Sequence, residues 1–417
     1  MFNPKTIRQD FPIFSQNPRG EKLVYLDSAA TSQKPQVVLD AITKYYQTSN
    51  ANVHRGVHQL SDRSTQVWDE SRATIAKFFD ANPEELIITR NTTEAINGVA
   101  YGWGDHNVQF GDIILTTLME HHSNIVCWQE LARRTGATVE YIEITKEGRL
   151  DQKSLAAKLS LPKVRLLALT HVSNTLGTLN PVAEIIVQAR ALQPDIRILI
   201  DAAQSAPHIP VSFAKLDVDF LVFSGHKMLG PMGIGGLLVR QSLLQSGEMR
   251  PWLFGGGMIA AVTKDATTFT DELSERFVAG TPDVASAVGL AAACAYLTKL
   301  HMSDVGQHDL ELVLYALEKL SAIPELEIIG PQDFSESEVD RVGSVAFIYK
   351  GVHAHDVAQV LDSVGVAVRS GHHCTMPLHE QFGWVASVRA SCNIYNTTAD
   401  IDALVTGLAK VRQVFKV

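Results

Sequence analysis

The sequence predicts an α/β protein: a large domain on a mainly parallel, seven-stranded sheet flanked by helices, followed by a smaller α+β C-terminal domain. Three observations carry that prediction. Between residues 86 and 239, short Val/Ile/Leu-rich runs alternate with amphipathic stretches, the texture of strands buried on both faces by helices. Gly255-Gly256-Gly257 breaks this rhythm and opens a polar, Thr-rich segment that runs to about Phe277. Beyond about Val305, helical and strand patterns recur in a different order and at shorter spacing.

The elements follow in order. Asn3-Pro4 is a helix start, a cap followed by proline at the first helical position. Residues 24–26 lead into Asp27-Ser28-Ala29-Ala30-Thr31, an extended entry ending in small residues. Apolar stripes predict helices over 35–47 and 61–79. Seven strands are expected at 86–89, 113–116, 139–144, 166–170, 196–200, 220–223 and 236–239, with helices such as 95–101, 123–134, 155–161 and 182–192 between them. An Ala-rich helix over 283–300 closes the large unit. Helices over 309–322, 355–364 and 400–414 and strands over 344–349, 366–369 and 387–391 make the small one. The division expected is 16–300 and 301–417, with 1–15 packing on the small domain.

Composition excludes several classes. The chain has 417 residues, nearly half apolar, which allows a large core. Its net charge of −9 argues against a nucleic-acid partner. The first ten residues contain no apolar core of a signal peptide, and the longest apolar patch, 284–297, is too short to span a bilayer. Four cysteines without a Cys-x-x-Cys pair fit a reducing compartment, so a cytoplasmic setting is expected.

Several loops after strands hold reactive side chains. Lys227, in Ser224-Gly225-His226-Lys227, follows the apolar run 220–223. A lysine there needs a partner or a covalent bond, and such amines form Schiff bases with carbonyl compounds, pyridoxal phosphate (PLP) among them. The plainer alternative is a lysine that snorkels to solvent. Asp201 ends another apolar run, where a carboxylate can pair with a protonated pyridine nitrogen or simply cap a helix. Thr92-Thr93-Glu94 opens a helix and suits either a phosphate or an ordinary cap. His121 and His122 are adjacent, so both cannot face one site. Asn174 is a candidate donor or a turn asparagine. Arg389 stands inside a β-like stretch, where an anion or a structural ion pair is expected. Cys374 lies in a polar loop with Arg369, His372 and His373 nearby, neighbours that favour its nucleophilic form. The other cysteines sit among Val, Ala, Ile or Trp and read as inert. A metal site from His372, His373, Cys374 and His379 is disfavoured by irregular spacing, and no metal is expected.

Taken together, Asp201 with Gln204, Ser224 to Lys227, Thr92-Thr93-Glu94, His121-His122, Ser173-Asn174, Gly280-Thr281-Pro282 and Arg369 to Cys374 resemble the group II (SUF-system type) cysteine desulfurases. These are relatives of selenocysteine lyases among the class V aminotransferase-like enzymes of PLP fold type I. The resemblance runs from Tyr25 to Thr397. It implies that Lys227 anchors PLP, Asp201 pairs with the pyridine nitrogen, Gln204 bonds the ring oxygen and His122 stacks on the ring and helps move protons. It implies that Thr92, Thr93, Ser224 and His226 hold the phosphate, joined by Thr281 from the second subunit of a homodimer. Asn174, Arg369 and Arg389 would serve the cofactor or the substrate carboxylate, and Cys374 would take the sulfur. The implied reaction converts L-cysteine to L-alanine and passes a persulfide to a small acceptor protein of the SUF system for iron–sulfur cluster assembly. Selenocysteine lyase action on L-selenocysteine, transamination and a decayed scaffold are the rival readings. The chain departs from the family pattern at Thr375, Asn91, Met232 and Thr175, all neighbours of the implied chemistry.

Overall fold

The computed structural model describes residues 2–54, 56–332 and 340–417. The first strand, β1 (Val24–Tyr25), is short; β2 (Leu86–Thr89), β3 (Ile113–Thr117), β4 (Thr138–Ile142), β5 (Val164–Thr170), β6 (Arg197–Asp201), β7 (Phe220–Ser224) and β8 (Gly235–Val239) follow. The last seven form one sheet in the order β2-β8-β7-β6-β5-β3-β4. Strand β8 runs antiparallel to both of its neighbours, and every other pairing is parallel. The exception follows from the connection: β8 returns from β7 after ten residues, too few for a crossover helix. The sequence expectation of seven strands therefore holds, with bounds shifted by up to two residues.

Strands β6 and β7 are buried almost throughout, as their unbroken apolar runs demand. Helix Val284–Leu300 is apolar on all sides because it packs against helices Gln36–Thr48 and Gln59–Phe78 over the large core. Asp283 caps it by accepting from Ser286 N. No single helix among the described residues is long and apolar enough to cross a membrane.

Two strands fall in the Thr-rich segment that showed no strand pattern: β9 (Ile259–Val262) and β10 (Thr267–Phe269) form an exposed antiparallel hairpin. The small unit holds β11 (Leu326–Ile329), β12 (Ser344–Tyr349), β13 (Val366–Ala367), β14 (Arg369–Gly371) and β15 (Ser387–Ser391). Its antiparallel sheet runs β11-β12-β15-β14, with helices Met302–Ser321, Ala354–Asp362 and Thr398–Phe415 completing a separate core.

The N-terminal stretch joins the two units. Arg8 reaches the small unit through Asp400 (3.1 Å) and the Tyr395 carbonyl, while Ile7 and Phe11 belong to the larger core. Strand β1, which the sequence division counted with the large domain, instead pairs in parallel with β13. Its Val24 and the following Leu26 sit in the small unit's core, because their apolar side chains face that sheet.

Candidate active site

The candidate residues converge at the carboxyl ends of the parallel strands, where open α/β sheets gather ligands. Asp201 ends β6, Ser224 ends β7, and Lys227 closes the 3-10 turn Gly225–Lys227 that follows. Thr92 and Thr93 follow β2, His121 follows β3 and Asn174 follows β5. With Gln204, His226, Arg369, Arg389, Ala29 and Ala30 they line one cavity.

Lys227 is partly buried at the cavity wall, and among the described residues no hydrogen bond or ion pair reaches its amine. Burial pulls its pKa down to about 8, against the attraction of Asp201. Asp201 is 4 % exposed and is raised by burial, with the Lys227 charge opposing; one of its oxygens accepts from Ala203 N at 2.9 Å. The other is open to a cationic ring nitrogen. The turn before the lysine is fixed by one carbonyl: His226 O accepts from Ser32 N, Ser32 Oγ, Thr31 Oγ1 and Lys34 Nζ at 3.0–3.1 Å.

The helix Thr92–Val99 presents its first turn to the cavity. Asn91 caps it by accepting from Glu94 N at 3.0 Å, which leaves the threonine hydroxyls at its mouth. Thr92 Oγ1 lies 2.7 Å from Ser224 Oγ. Hydroxyls and amides at a helix N-terminus, close to a lysine and a neutral histidine, suit a phosphate dianion. Gln204 donates to Ala29 O at 2.9 Å, which leaves part of its amide for a ligand.

Of the two adjacent histidines, one lines the cavity. His122 does not line the cavity; its Nε2 accepts from Met376 N at 2.9 Å, and its backbone N donates to Cys374 O at 2.8 Å. Consecutive side chains diverge, so His121 takes the inward position. Burial, then the positive charges of Lys227, His122 and the two arginines, push His121 down to about 3, which keeps its ring neutral. Its Nδ1 accepts from Ser123 N at 3.1 Å, placing the ring proton on Nε2.

Arg369 and Arg389 are directly opposed across β14 and β15. Like charges in that relation repel unless an anion lies between them. Arg389 is fully buried, and burial lowers it to about 10. It donates to Asn174 O at 2.8 Å and to Asp27 Oδ1 at 3.2 Å, while its Nε has no partner. Each terminal nitrogen of Arg389 already has one acceptor inside the protein, and its Nε has none. One orphaned donor on Arg389 beside the Arg369 guanidinium fits a carboxylate shared by the pair. Asn174 is engaged likewise: its Nδ2 donates to His373 O at 2.8 Å and to Thr175 Oγ1 at 3.3 Å, so its donors hold the neighbouring loop.

Cys374 sits in that loop, half-buried, with Sγ 3.6 Å from Arg369 Nη2. Burial pushes Cys127, Cys294 and Cys392 far up, which makes them poor nucleophiles. Thr281 lies outside the cavity, in a separate cleft with Asn52, His54 and Gly256.

Sequence reasoning missed Asp27, which neutralises Arg389, and Lys34, which holds the lysine turn. It also missed Glu120, fully buried beneath the site, raised by burial to about 8 and bonded to Thr117, Asn124 and Thr170 N. The small-residue run after Asp27 was a signal for the first; the other two left none.

Known proteins are similar to this chain in sequence and in fold. The aminotransferase class-V family model matches residues 24–404. A protein of Synechocystis sp. named probable cysteine desulfurase is 46% identical over 404 residues, covering 97% of this chain and 94% of the relative. The apo structure of a cysteine desulfurase from Thermococcus onnurineus NA1 is 38% identical, with a TM-score of 0.91 over 100% of this chain and 99% of that one. A C-DES mutant with glycine covalently linked to its PLP cofactor is 26% identical, with a TM-score of 0.82 over 96% of this chain and 98% of that one. Matched over nearly its whole length in sequence and in fold, the chain belongs to the aminotransferase class-V family.

Proposed function

We propose that the protein is a PLP-dependent cysteine desulfurase that converts L-cysteine to L-alanine and takes the sulfur onto Cys374 as a persulfide. The observation that carries this reading is a half-buried cysteine whose sulfur touches Arg369, a wall residue of the cavity that encloses Lys227. The cavity fits the cofactor chemically: an amine without a hydrogen-bond partner, a buried carboxylate with one open oxygen and a hydroxyl-lined helix start. PLP supplies the electron sink that makes a substrate Cα proton removable.

The chain's own residues do the rest. Lys227 would anchor the cofactor, and its amine would serve as the base for the substrate Cα proton. Asp201 would pair with the pyridine nitrogen, and His121, as a neutral imidazole, would pack beside the ring. Thr92, Thr93, Ser224 and His226 hold the phosphate, and Gln204 the ring oxygen. Arg389 Nε and Arg369 orient the substrate carboxylate. The Cys374 sulfur then attacks the substrate sulfur. The Cβ–S bond breaks and its electron pair stays with carbon, which is protonated, and alanine leaves. Enzyme thiol and cysteine go in; enzyme persulfide and alanine come out, so atoms and electrons balance. In a homodimer, Thr281 of one copy would reach the phosphate of the other, which accounts for its place outside the single-chain cavity. The persulfide would pass to a small acceptor protein of the SUF type for iron–sulfur assembly, a reading supported by the resemblance of the Arg369 to Cys374 motif.

The test is Cys374→Ser. The variant should keep the yellow PLP band and lose alanine formation from cysteine, while the wild type shows a persulfide on Cys374 by mass spectrometry. Unchanged alanine output from the variant would refute the role of Cys374. A keto acid in place of alanine would refute the reaction.

A further inference from the structure

Two threonines that the mechanism does not use are joined across the site. Thr175 and Thr375 are both 0% exposed, and their hydroxyl oxygens are 2.9 Å apart across 200 residues of chain. The bond lies within a directed series. Asn174 Nδ2 donates to Thr175 Oγ1, the two hydroxyls meet, and Thr375 Oγ1 donates to His372 O at 2.8 Å. Asn174 also donates to His373 O, and its own carbonyl is held by Arg389. The series thus runs from the arginine that faces the substrate to the loop that carries the sulfur.

That loop needs holding. His373 and Cys374 both have left-handed backbones, with φ of 51° and 61°, a conformation unfavourable for residues other than glycine. Two such residues in succession relax to extended backbone unless their surroundings fix them. Their carbonyls and those beside them are fixed by four donors: Asn174 Nδ2 on His373 O, His122 N on Cys374 O, Thr375 N on His372 O, and Thr375 Oγ1 on the same His372 O. Only the last is tied through a second side chain, Thr175, to the opposite wall.

We propose that the Thr175–Thr375 hydroxyl pair is a positioning device that keeps the Cys374 sulfur turned toward the Lys227 cavity for transfer from the substrate. This rests on the desulfurase reading. The pair touches neither substrate nor cofactor; it acts through the loop. Losing it leaves cofactor and substrate binding intact, slows sulfur transfer to Cys374 and opens the thiol to reagents from solvent.

The experiment uses the holoenzyme and four variants: Thr175→Val, Thr375→Val, the double Val variant, and Thr375→Ser. Single-turnover persulfide formation on Cys374 is measured beside the PLP spectral change on cysteine addition and the rate of alkylation by iodoacetamide. Each Val variant should transfer sulfur about tenfold more slowly, the rate equivalent of one hydrogen bond. It should keep the spectral change and be alkylated faster than the wild type. The double variant should be no slower than the slower single, because both break one link. Thr375→Ser keeps the hydroxyl and should restore transfer.

Wild-type transfer rates in both Val variants would overturn the proposal. So would a serine variant as slow as the valine one, or transfer and alkylation falling together, the pattern of a merely loosened fold. If the Val variants do not fold, Thr175→Ser paired with Thr375→Ser decides it: both keep the hydroxyls, and slow transfer in them refutes the pair. A wild type that forms alanine without a Cys374 persulfide refutes the desulfurase mechanism itself, a failure distinct from any of these.

Discussion

Burial of Lys227 sets up a measurable conflict between stability and chemistry. Its amine titrates near 8 in the folded chain, against 10.5 for the free side chain, because enclosure removes the water that would solvate the charge. Below about pH 8 both folded and unfolded chains hold the proton, and the folded state bears the full cost of a buried cation. Between about 8 and 10.5 only the unfolded chain keeps it, so stability rises with pH; above 10.5 the cost has vanished. Lowering the pKa from 10.5 to about 8 corresponds to at most about 3 kcal/mol, less to the extent that the side chain still meets solvent. Lys227→Met keeps the unbranched stem without the charge. In protein stripped of cofactor, the variant should be more stable than the wild type by up to about 3 kcal/mol at pH 7, and the gap should close by about pH 10. Urea unfolding followed by tryptophan fluorescence at pH 7, 8, 9 and 10 reads this directly, because other titrating groups cancel in the difference. A gap that stays constant over that range, or that widens with pH, would refute the assignment of Lys227 as a buried, depressed amine. The chemical return is that roughly a tenth of the amine is neutral at pH 7, a few hundred times more than for an ordinary lysine, and only the neutral form attacks a carbonyl.

Other outcomes follow from the same geometry. His121→Ala should shift the PLP absorption band and slow alanine formation by about tenfold to a hundredfold, whereas His122→Ala should leave the band in place and change the alkylation rate of Cys374. Asp201→Asn should cut turnover at least about a hundredfold while retaining some bound cofactor, as shown by absorbance after gel filtration, because an amide cannot hold the pyridine proton. Arg369→Gln should raise the KM for cysteine by about tenfold or more with a smaller effect on alanine formation at saturation. Away from the site, Glu275→Gln should lower stability by about 3 kcal/mol in urea melts, because Arg72, buried with its Nη1 2.7 Å from Glu275, would keep hydrogen-bond partners but lose its counter-charge.

The large sheet was legible because its strands are buried on both faces and separated by amphipathic helices, so period and apolarity agree from residue 86 to residue 239. The hairpin of β9 and β10 was not, because its strands are largely exposed and lack an apolar face. The pairing of β1 with β13 was not legible, because two residues carry no record of which sheet they join. In the site, the apolar runs marked which residues stand at strand ends, and only the family resemblance gave them roles. The choice between His121 and His122 was not readable, since it depends on which backbone position opens the following helix. The committed donors of Asn174 and Arg389 were equally hidden, because their partners lie 199 residues and more away in the chain. Thr175 and Thr375 stood out singly as departures from the family pattern, and only the fold shows them bonded to each other.

The stretch from Val24 to Lys34 acts as a strap. It begins as the parallel partner of β13, bridges to Ser391 through Asp27, passes Ala29 and Ala30 along the cavity wall, and ends with three residues gripping the carbonyl next to Lys227. Asp27 is also the counter-ion of Arg389. The two units therefore share a tether at the point where chemistry occurs. Any rotation of the small unit pulls on the lysine turn and on the arginine together, so the anchor and the carboxylate grip are set by one mechanical part.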